Sequence, residues 1–162
     1  MSKTCSFSRP HKTVLLHYQN EDVEIDEVLA PLIQEIWKAD IDTMMSCQET
    51  ESGIAWFEFD SMDDLLKFLN IVSEYEEGVD TLYNRINHQL TGDITKPIWH
   101  YQVNLQDLDE YEPDREDGGL VDFLATVGIY FPHEDLPIIF ERIQAFNPVS
   151  YTHLTLPTIY SV

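Results

Sequence analysis

Apolar residues recur along this chain with two different periods, which predicts alternating strands and helices. Ala55, Phe57 and Phe59 share one face of a predicted strand, and Trp56 lies on the other face. Directly afterwards, apolar positions follow the spacing i, i+3, i+4, i+7 of one helix face. This face consists of Leu65, Phe68, Leu69 and Val72. The pattern Ser-x-x-Asp immediately before it predicts a capped helix start.

The same two patterns recur in the rest of the chain. Predicted strands cover residues 12–18, 41–48, 97–105 and 120–131, and predicted helices cover residues 26–39, 61–72, 79–90 and 135–143. The acidic stretch 21–26 is predicted to lead into the first helix, with Asp26 as its N-cap. The order strand, helix, strand, strand, helix predicts an α+β fold with a ferredoxin-like βαββα core, which a second strand–strand–helix unit extends.

These elements divide the chain of 162 residues into four predicted parts. An N-terminal arm covers residues 1–11, the βαββα unit covers 12–75, and a helix with the second unit covers 76–148; the last two parts are predicted to pack together as one compact domain. The two strand–strand–helix units have the same element order, which indicates an internal duplication. Residues 149–158 resemble a translated sequencing adaptor, so the tail 149–162 is predicted to be artefactual.

Acidic residues dominate the charge of this chain. Asp and Glu number 30 against 9 Lys and Arg, which gives a formal net charge of −21. Such a surface repels phosphate backbones and anionic membranes, so we expect no direct binding to nucleic acid or membrane. The charge instead favours binding to a basic surface on a protein partner. A more specific hypothesis is that the carboxylates mimic the phosphates of a nucleic acid. Simple solubility is the alternative interpretation of the charge.

The N-terminal residues lack the apolar run of a signal peptide, and no stretch approaches the roughly 20 apolar residues of a membrane span. A cytoplasmic location is therefore predicted. Two cysteines, Cys5 and Cys47, are too few for a disulfide framework. Neither the oligomeric state nor a cofactor is indicated by any motif.

One long acidic loop is a candidate binding edge for a basic partner. Its carboxylates are Asp107, Asp109, Glu110, Glu112, Asp114, Glu116 and Asp117. A calcium site is a further hypothesis, but the loop fails the EF-hand pattern because Glu112 stands where glycine is required. The chain contains no His-x-x-x-His or Cys-x-x-Cys pair, so no sequence motif predicts a zinc site.

A second candidate site is a ligand pocket built from residues on three predicted strands. Its members are Ser46, Cys47, Gln48, Trp56 and His100. No neighbouring base activates Cys47 as a nucleophile, and its shared face with Met45 favours core packing. Trp56 would be available to a ligand if the helices cover only the opposite face of the sheet.

The segment 39–48 resembles a pattern found in small uncharacterised bacterial and phage proteins. In that pattern a helix is followed by Ile-x-Thr-x-x-Ser-Cys-Gln, as in Ile41, Thr43, Ser46, Cys47 and Gln48 here, and then by an aromatic strand. The resemblance implies no activity. The chain is therefore predicted to be an acidic interaction or regulatory protein without catalytic activity. The alternative is a small enzyme or ligand-binding domain with a pocket around Cys47, Trp56 and His100.

Overall fold

The computed structural model describes residues 11–89, 92–107 and 123–148. Its strands are β1 (Thr13–Tyr18), β2 (Glu21–Asp26), β3 (Thr43–Glu51), β4 (Ile54–Phe59), β5 (His100–Asp107) and β6 (Phe123–Pro132). Its helices are α1 (Ala30–Lys38), α2 (Met62–Val72), α3 (Leu82–Asn87) and α4 (Leu136–Phe146). These elements confirm the predicted α+β class. The predicted tail 149–162 lies outside the described residues.

The first two strands form a hairpin of their own, with Thr13 opposite Asp26. Gln19 and Asn20 form its turn, and both have positive φ, at 49° and 68°. A two-residue turn of this kind matches the twist of antiparallel strands. The element order over residues 13–72 is therefore ββαββα, one strand more than predicted. The prediction that Asp26 caps the first helix is wrong, because Asp26 ends β2 and Leu29 is the N-cap residue of α1.

The other four strands form one antiparallel sheet in the order β3-β4-β6-β5. Each predicted strand–strand–helix unit contributes its second strand to the centre of this sheet, where Phe57 lies opposite Ile129. The helices α2 and α4, which follow these strands, contact each other. At the start of α2, the hydroxyl of Ser61 accepts a hydrogen bond from the Asp64 amide at 3.1 Å, as the capping pattern predicts.

The core lies between one face of this sheet and the helices. Phe57 contacts Phe131 with ring centroids 5.0 Å apart, and Phe68 of α2 packs against Phe57 and Phe59. In α1, α2 and α4 the apolar positions that recur at helical spacing lie on the buried face. Their fully buried members are Leu29, Ile33, Ile36, Phe68, Val72, Ile139 and Ile143. None of the described helices is long and apolar enough to cross a membrane.

A buried ion pair joins α3 to the start of α4. The guanidinium of Arg85 donates two hydrogen bonds of 2.6 Å to the two carboxylate oxygens of Asp135. The indole of Trp99 donates a third to Asp135 at 3.0 Å. Arg85 and Asp135 are only 2% and 3% exposed. Because every charge here has a partner at close range, the pair fixes the position of α3 without leaving a buried charge uncompensated.

Candidate functional site

A cleft of about 530 Å³ lies between the β1–β2 hairpin and β3. Five carboxylates line it, and none of its described lining residues is Lys, Arg or His. The five are Glu21, Asp22, Glu24, Asp42 and Asp60. Carboxylates gathered in a concave site reinforce one another's field, since the low-dielectric walls focus it. The cleft is therefore a strongly anionic recess.

Two aromatic side chains form part of the cleft wall. Tyr18 from β1 stacks on Trp37 from α1, with ring centroids 4.3 Å apart and planes 11° apart. The indole of Trp37 donates a hydrogen bond to the Thr43 hydroxyl at 3.0 Å. These contacts hold the rings in place beside the carboxylates, an arrangement that suits a cation able to lie on an aromatic face.

Asp42 is the carboxylate that the cleft holds most firmly. Its Oδ1 accepts hydrogen bonds from the Tyr18 hydroxyl at 2.5 Å and from the Gln19 amide at 3.0 Å. Burial raises the pKa of Tyr18, and the neighbouring Asp42 carboxylate raises it further. Tyr18 therefore keeps its proton and remains a donor at neutral pH.

The strands on the two sides of the cleft are both edge strands. Within the described residues β2 pairs only with β1, and β3 pairs only with β4. At one end the two edges are joined, because Asp26 Oδ2 accepts a hydrogen bond from the backbone N–H of Gln48 at 2.8 Å. Ser46 lines the cleft, and its hydroxyl oxygen is buried without a hydrogen-bond partner. Edge strands carry unpaired backbone groups that can bind an extended peptide.

Three of the five predicted pocket residues lie in one row across the sheet. Cys47 is opposite Trp56, Trp56 is opposite Tyr130, and Tyr130 is opposite His100. Opposed residues share a face of a sheet, and neighbouring strands are about 4.8 Å apart. Cys47 and His100 therefore lie roughly 14 Å apart. The five residues form a row and a strand edge rather than one compact pocket.

Cys47 is fully buried and disulfide-bonded, and the other cysteine of the chain, Cys5, lies outside the described residues. In this state Cys47 is not a thiolate nucleophile. Gln48 contacts a histidine near the start of the described chain: its amide Nε2 is 2.9 Å from His11 Nδ1. His100 is exposed at the beginning of β5.

The sheet face that carries Trp56 also holds a buried carboxylate. Glu58 is 3% exposed, and its Oε1 accepts hydrogen bonds from the Thr126 hydroxyl at 2.5 Å and from the Asn104 amide at 2.9 Å. The indole of Trp56 lies across Gly128, since a Cβ added there would be 2.8 Å from Trp56 Nε1. Glycine at position 128 therefore permits the close approach of the ring to the strand.

The acidic loop predicted as a partner-binding edge lies outside the described residues, apart from its first member. Asp107 is the last residue of β5. The remaining predicted members, Asp109, Glu110, Glu112, Asp114, Glu116 and Asp117, all belong to the segment 108–122, which is not described. Their role stays a prediction.

The chain is similar to the uncharacterised protein R428 of Acanthamoeba polyphaga mimivirus. The two are 27% identical over 134 residues, which cover 81% of this chain and 66% of that protein. No protein-family model matches the chain, and no solved structure matches it. The similarity agrees with the expected resemblance to uncharacterised proteins, and it assigns no activity.

The cleft was not predicted, because its carboxylates come from separate parts of the chain. Glu21, Asp22 and Glu24 lie on β2, whereas Asp42 and Asp60 flank the β3–β4 hairpin. A local signal did exist: residues 22–26 alternate acidic and apolar side chains around Val23 and Ile25. That alternation is typical of a half-buried strand and could have placed β2 beside β1.

Proposed function

We propose that this chain is a non-enzymatic interaction protein that binds a basic segment of a protein partner in the β2–β3 cleft. The observation that carries the proposal is the set of five carboxylates that line the cleft without a described lining cation. Lys and Arg side chains complement such a set through charge-assisted hydrogen bonds. We place this function in the cytoplasm, as the sequence predicts.

The aromatic wall favours arginine over lysine. A guanidinium group is planar, so it can stack on Tyr18 while it donates hydrogen bonds to a carboxylate at the same time. Tyr18 and Asp42 offer such a combination at the same wall of the cleft, joined by their own hydrogen bond. Arginine-containing segments are therefore the expected ligands.

The two edge strands favour an extended conformation of the bound segment. Main-chain groups of β2 and β3 are available on the cleft side within the described residues, as their pairing on one side only indicates. A bound strand would gain backbone hydrogen bonds from them, and its alternate side chains would point toward the carboxylates. Arginine at every second position is the pattern that this geometry prefers.

A peptide-binding titration tests the proposal. The probe is a fluorescent peptide with alternating Arg and Val, compared by polarisation with the same peptide carrying Lys or Glu in place of Arg. We expect the Arg peptide to bind more tightly than the Lys peptide, and the Glu peptide not to bind. We expect added salt to weaken the binding of the Arg and Lys peptides. Absence of binding by the Arg peptide at low salt would contradict the proposal.

Variants of equal charge separate the cleft from the rest of the surface. The test variant is Glu21→Gln with Glu24→Gln and Asp60→Asn, and the control is Glu74→Gln with Glu77→Gln and Asp93→Asn. All six side chains are exposed, and each variant removes three negative charges. We expect a loss of roughly tenfold for the cleft variant and little change for the control. Equal losses would mean that net charge alone attracts the peptide.

The alternative proposal, a ligand pocket around Cys47, Trp56 and His100, has less support. The three residues lie on one sheet face in a row rather than around a common recess. Cys47 is also fully buried, so its side chain is not exposed to a ligand.

A further inference from the structure

Three potential metal ligands meet where β2 and β3 are joined. His11, Asp26 and Cys47 each offer one ligand atom, and these atoms all lie within 4.8 Å of one another. They come from three separate segments: the residue pair before β1, the end of β2 and the middle of β3. The group belongs neither to the cleft lining nor to the ion pair of Arg85. Its members are far apart in the sequence, so no short motif predicts the group.

Two unpartnered atoms beside this group indicate an incomplete site. His11 Nε2 and Gln48 Oε1 are both buried without a hydrogen-bond partner. Buried polar atoms without partners are rare in folded proteins, so they call for an explanation. The other ring nitrogen of His11, Nδ1, is 2.9 Å from Gln48 Nε2. Rotating the Gln48 amide by half a turn would let Oε1 accept from a protonated Nδ1, which leaves the lone pair of Nε2 for a metal ion.

We propose that, after reduction of its disulfide, Cys47 binds one Zn²⁺ ion together with His11 and Asp26. Reduction breaks the S–S bond with two electrons and two protons from a dithiol, which is itself oxidised to a disulfide. Metal binding then releases the proton of the Cys47 thiol to solvent. A reducing cytoplasm supplies dithiols and keeps such bonds open.

The donor set fits zinc better than calcium or magnesium. Imidazole nitrogen, thiolate sulfur and carboxylate oxygen together are typical of Zn²⁺, whereas Ca²⁺ and Mg²⁺ prefer oxygen alone. With bond lengths of about 2.0–2.3 Å, tetrahedral ligands lie about 3.5 Å apart, so atoms that lie within 4.8 Å of one another need to approach by at most roughly 1 Å. A water molecule would take the fourth position. The ion would join the N-terminal segment and β2 to β3, at the closed end of the cleft.

Cobalt titration of the full chain tests the proposal. The protein is reduced with a phosphine, which becomes a phosphine oxide and does not compete for metal as thiols do. Co²⁺ bound to a thiolate gives a charge-transfer band in the near ultraviolet. The band disappears when Zn²⁺ displaces the Co²⁺. We expect one equivalent of Co²⁺ to bind the reduced protein and no band in the oxidised protein. Lack of a band after reduction, or an equal band before it, would overturn the proposal.

Variants assign the ligands. Cys5→Ser leaves Cys47 as the sole cysteine, so this variant is expected to bind Co²⁺ without a reductant; loss of the band in it would overturn the three-ligand assignment. His11→Ala and Asp26→Asn should weaken binding at least tenfold. His17→Ala is the matched control, because His17 is exposed and lies beside Asp22 instead. Cys47→Ser should abolish the band, because the band requires the Cys47 thiolate. If this variant does not fold, His11→Ala decides, and a titration like that of the wild type would refute the site.

Discussion

This chain gathers charge in two places, the Arg85–Asp135 pair and the five carboxylates of the cleft. The two places differ in how the charge is compensated. Every nitrogen of the Arg85 guanidinium donates a hydrogen bond: Nη1 and Nη2 donate to Asp135, and Nε and Nη1 donate to backbone carbonyls. The five carboxylates line the cleft with no cationic residue among its described lining, and Asp22 alone of them lies beside a histidine, with its Oδ1 3.0 Å from His17 Nδ1. Burial demands pairing, because a lone charge in the interior is costly. At the surface, water can solvate the charge until a partner replaces it.

Arg85→Ala should have the largest effect on stability. It leaves Asp135 as a buried carboxylate whose remaining side-chain donor among the described residues is Trp99, and breaking a buried pair in this way costs about 3–5 kcal/mol. Urea unfolding followed by circular dichroism measures the loss. Lys67→Ala is the control, since Lys67 pairs with the exposed Asp40 at 3.4 Å and such pairs contribute at most about 1 kcal/mol. Similar losses for both variants would mean that burial does not make the Arg85–Asp135 pair more important for stability than an exposed pair.

Trp99→Phe should have the next largest effect. The indole of Trp99 is fully buried, stacks on Phe131 with centroids 4.8 Å apart, and donates to Asp135. Phenylalanine keeps the stacking but leaves a small cavity and removes the donor, so we expect a loss of roughly 1–3 kcal/mol. Urea unfolding again gives the value. A loss as large as that of Arg85→Ala would mean that the indole, rather than the guanidinium, satisfies the carboxylate.

The contrast also explains which features the sequence could predict. The helix faces around Leu65 and Ile139 were predicted correctly, because a repeating apolar pattern is local and a buried face requires it. The second unit, β5-β6-α4, follows the predicted order for the same reason. The β2 strand was missed because acidic residues are unfavourable in strands, and its partner β1 supplies the pairing that stabilises it.

Charge partners could not be predicted in the same way. Arg85 and Asp135 are 50 positions apart, and nothing in the weak pattern around α3 indicates that its arginine is buried. Asp64 and Asp135 both precede a leucine at a helix start, yet Asp64 takes part in a helix cap with Ser61 whereas Asp135 binds Arg85. Local sequence gives the position of such a residue, but tertiary contacts decide its role.

Removing cleft charge should raise stability slightly. The variant Glu21→Gln with Glu24→Gln and Asp60→Asn relieves repulsion between like charges, so we expect a rise in melting temperature of about 1–2 °C at low salt. The gain should shrink in high salt, where the repulsion is screened. Thermal unfolding at two salt concentrations measures both values. A fall in melting temperature would indicate that the carboxylates stabilise the fold, which would argue against a cleft kept for binding.

The smallest expected effect is a difference between two tyrosines. Burial raises the pKa of Tyr101 to about 12, and none of the described carboxylates is among the causes. In Tyr18, burial acts together with Asp42. Asp42→Asn should therefore lower the pKa of Tyr18 and leave that of Tyr101 unchanged. Ultraviolet absorbance of phenolate, with Tyr18→Phe and Tyr101→Phe as references, distinguishes the two groups.

The same titration carries a prediction about stability against pH. The folded-state pKa of Tyr101 lies above its ordinary value of 10, so the unfolded chain loses this proton first as the pH rises. The contribution of Tyr101 to stability is therefore complete below pH 10 and declines between pH 10 and about 12. Tyr101→Phe should flatten this decline, and Asp42→Asn should not change the share that Tyr101 contributes. A flattening by Asp42→Asn that persists in a Tyr18→Phe background would mean that the cleft charge reaches Tyr101 as well as Tyr18.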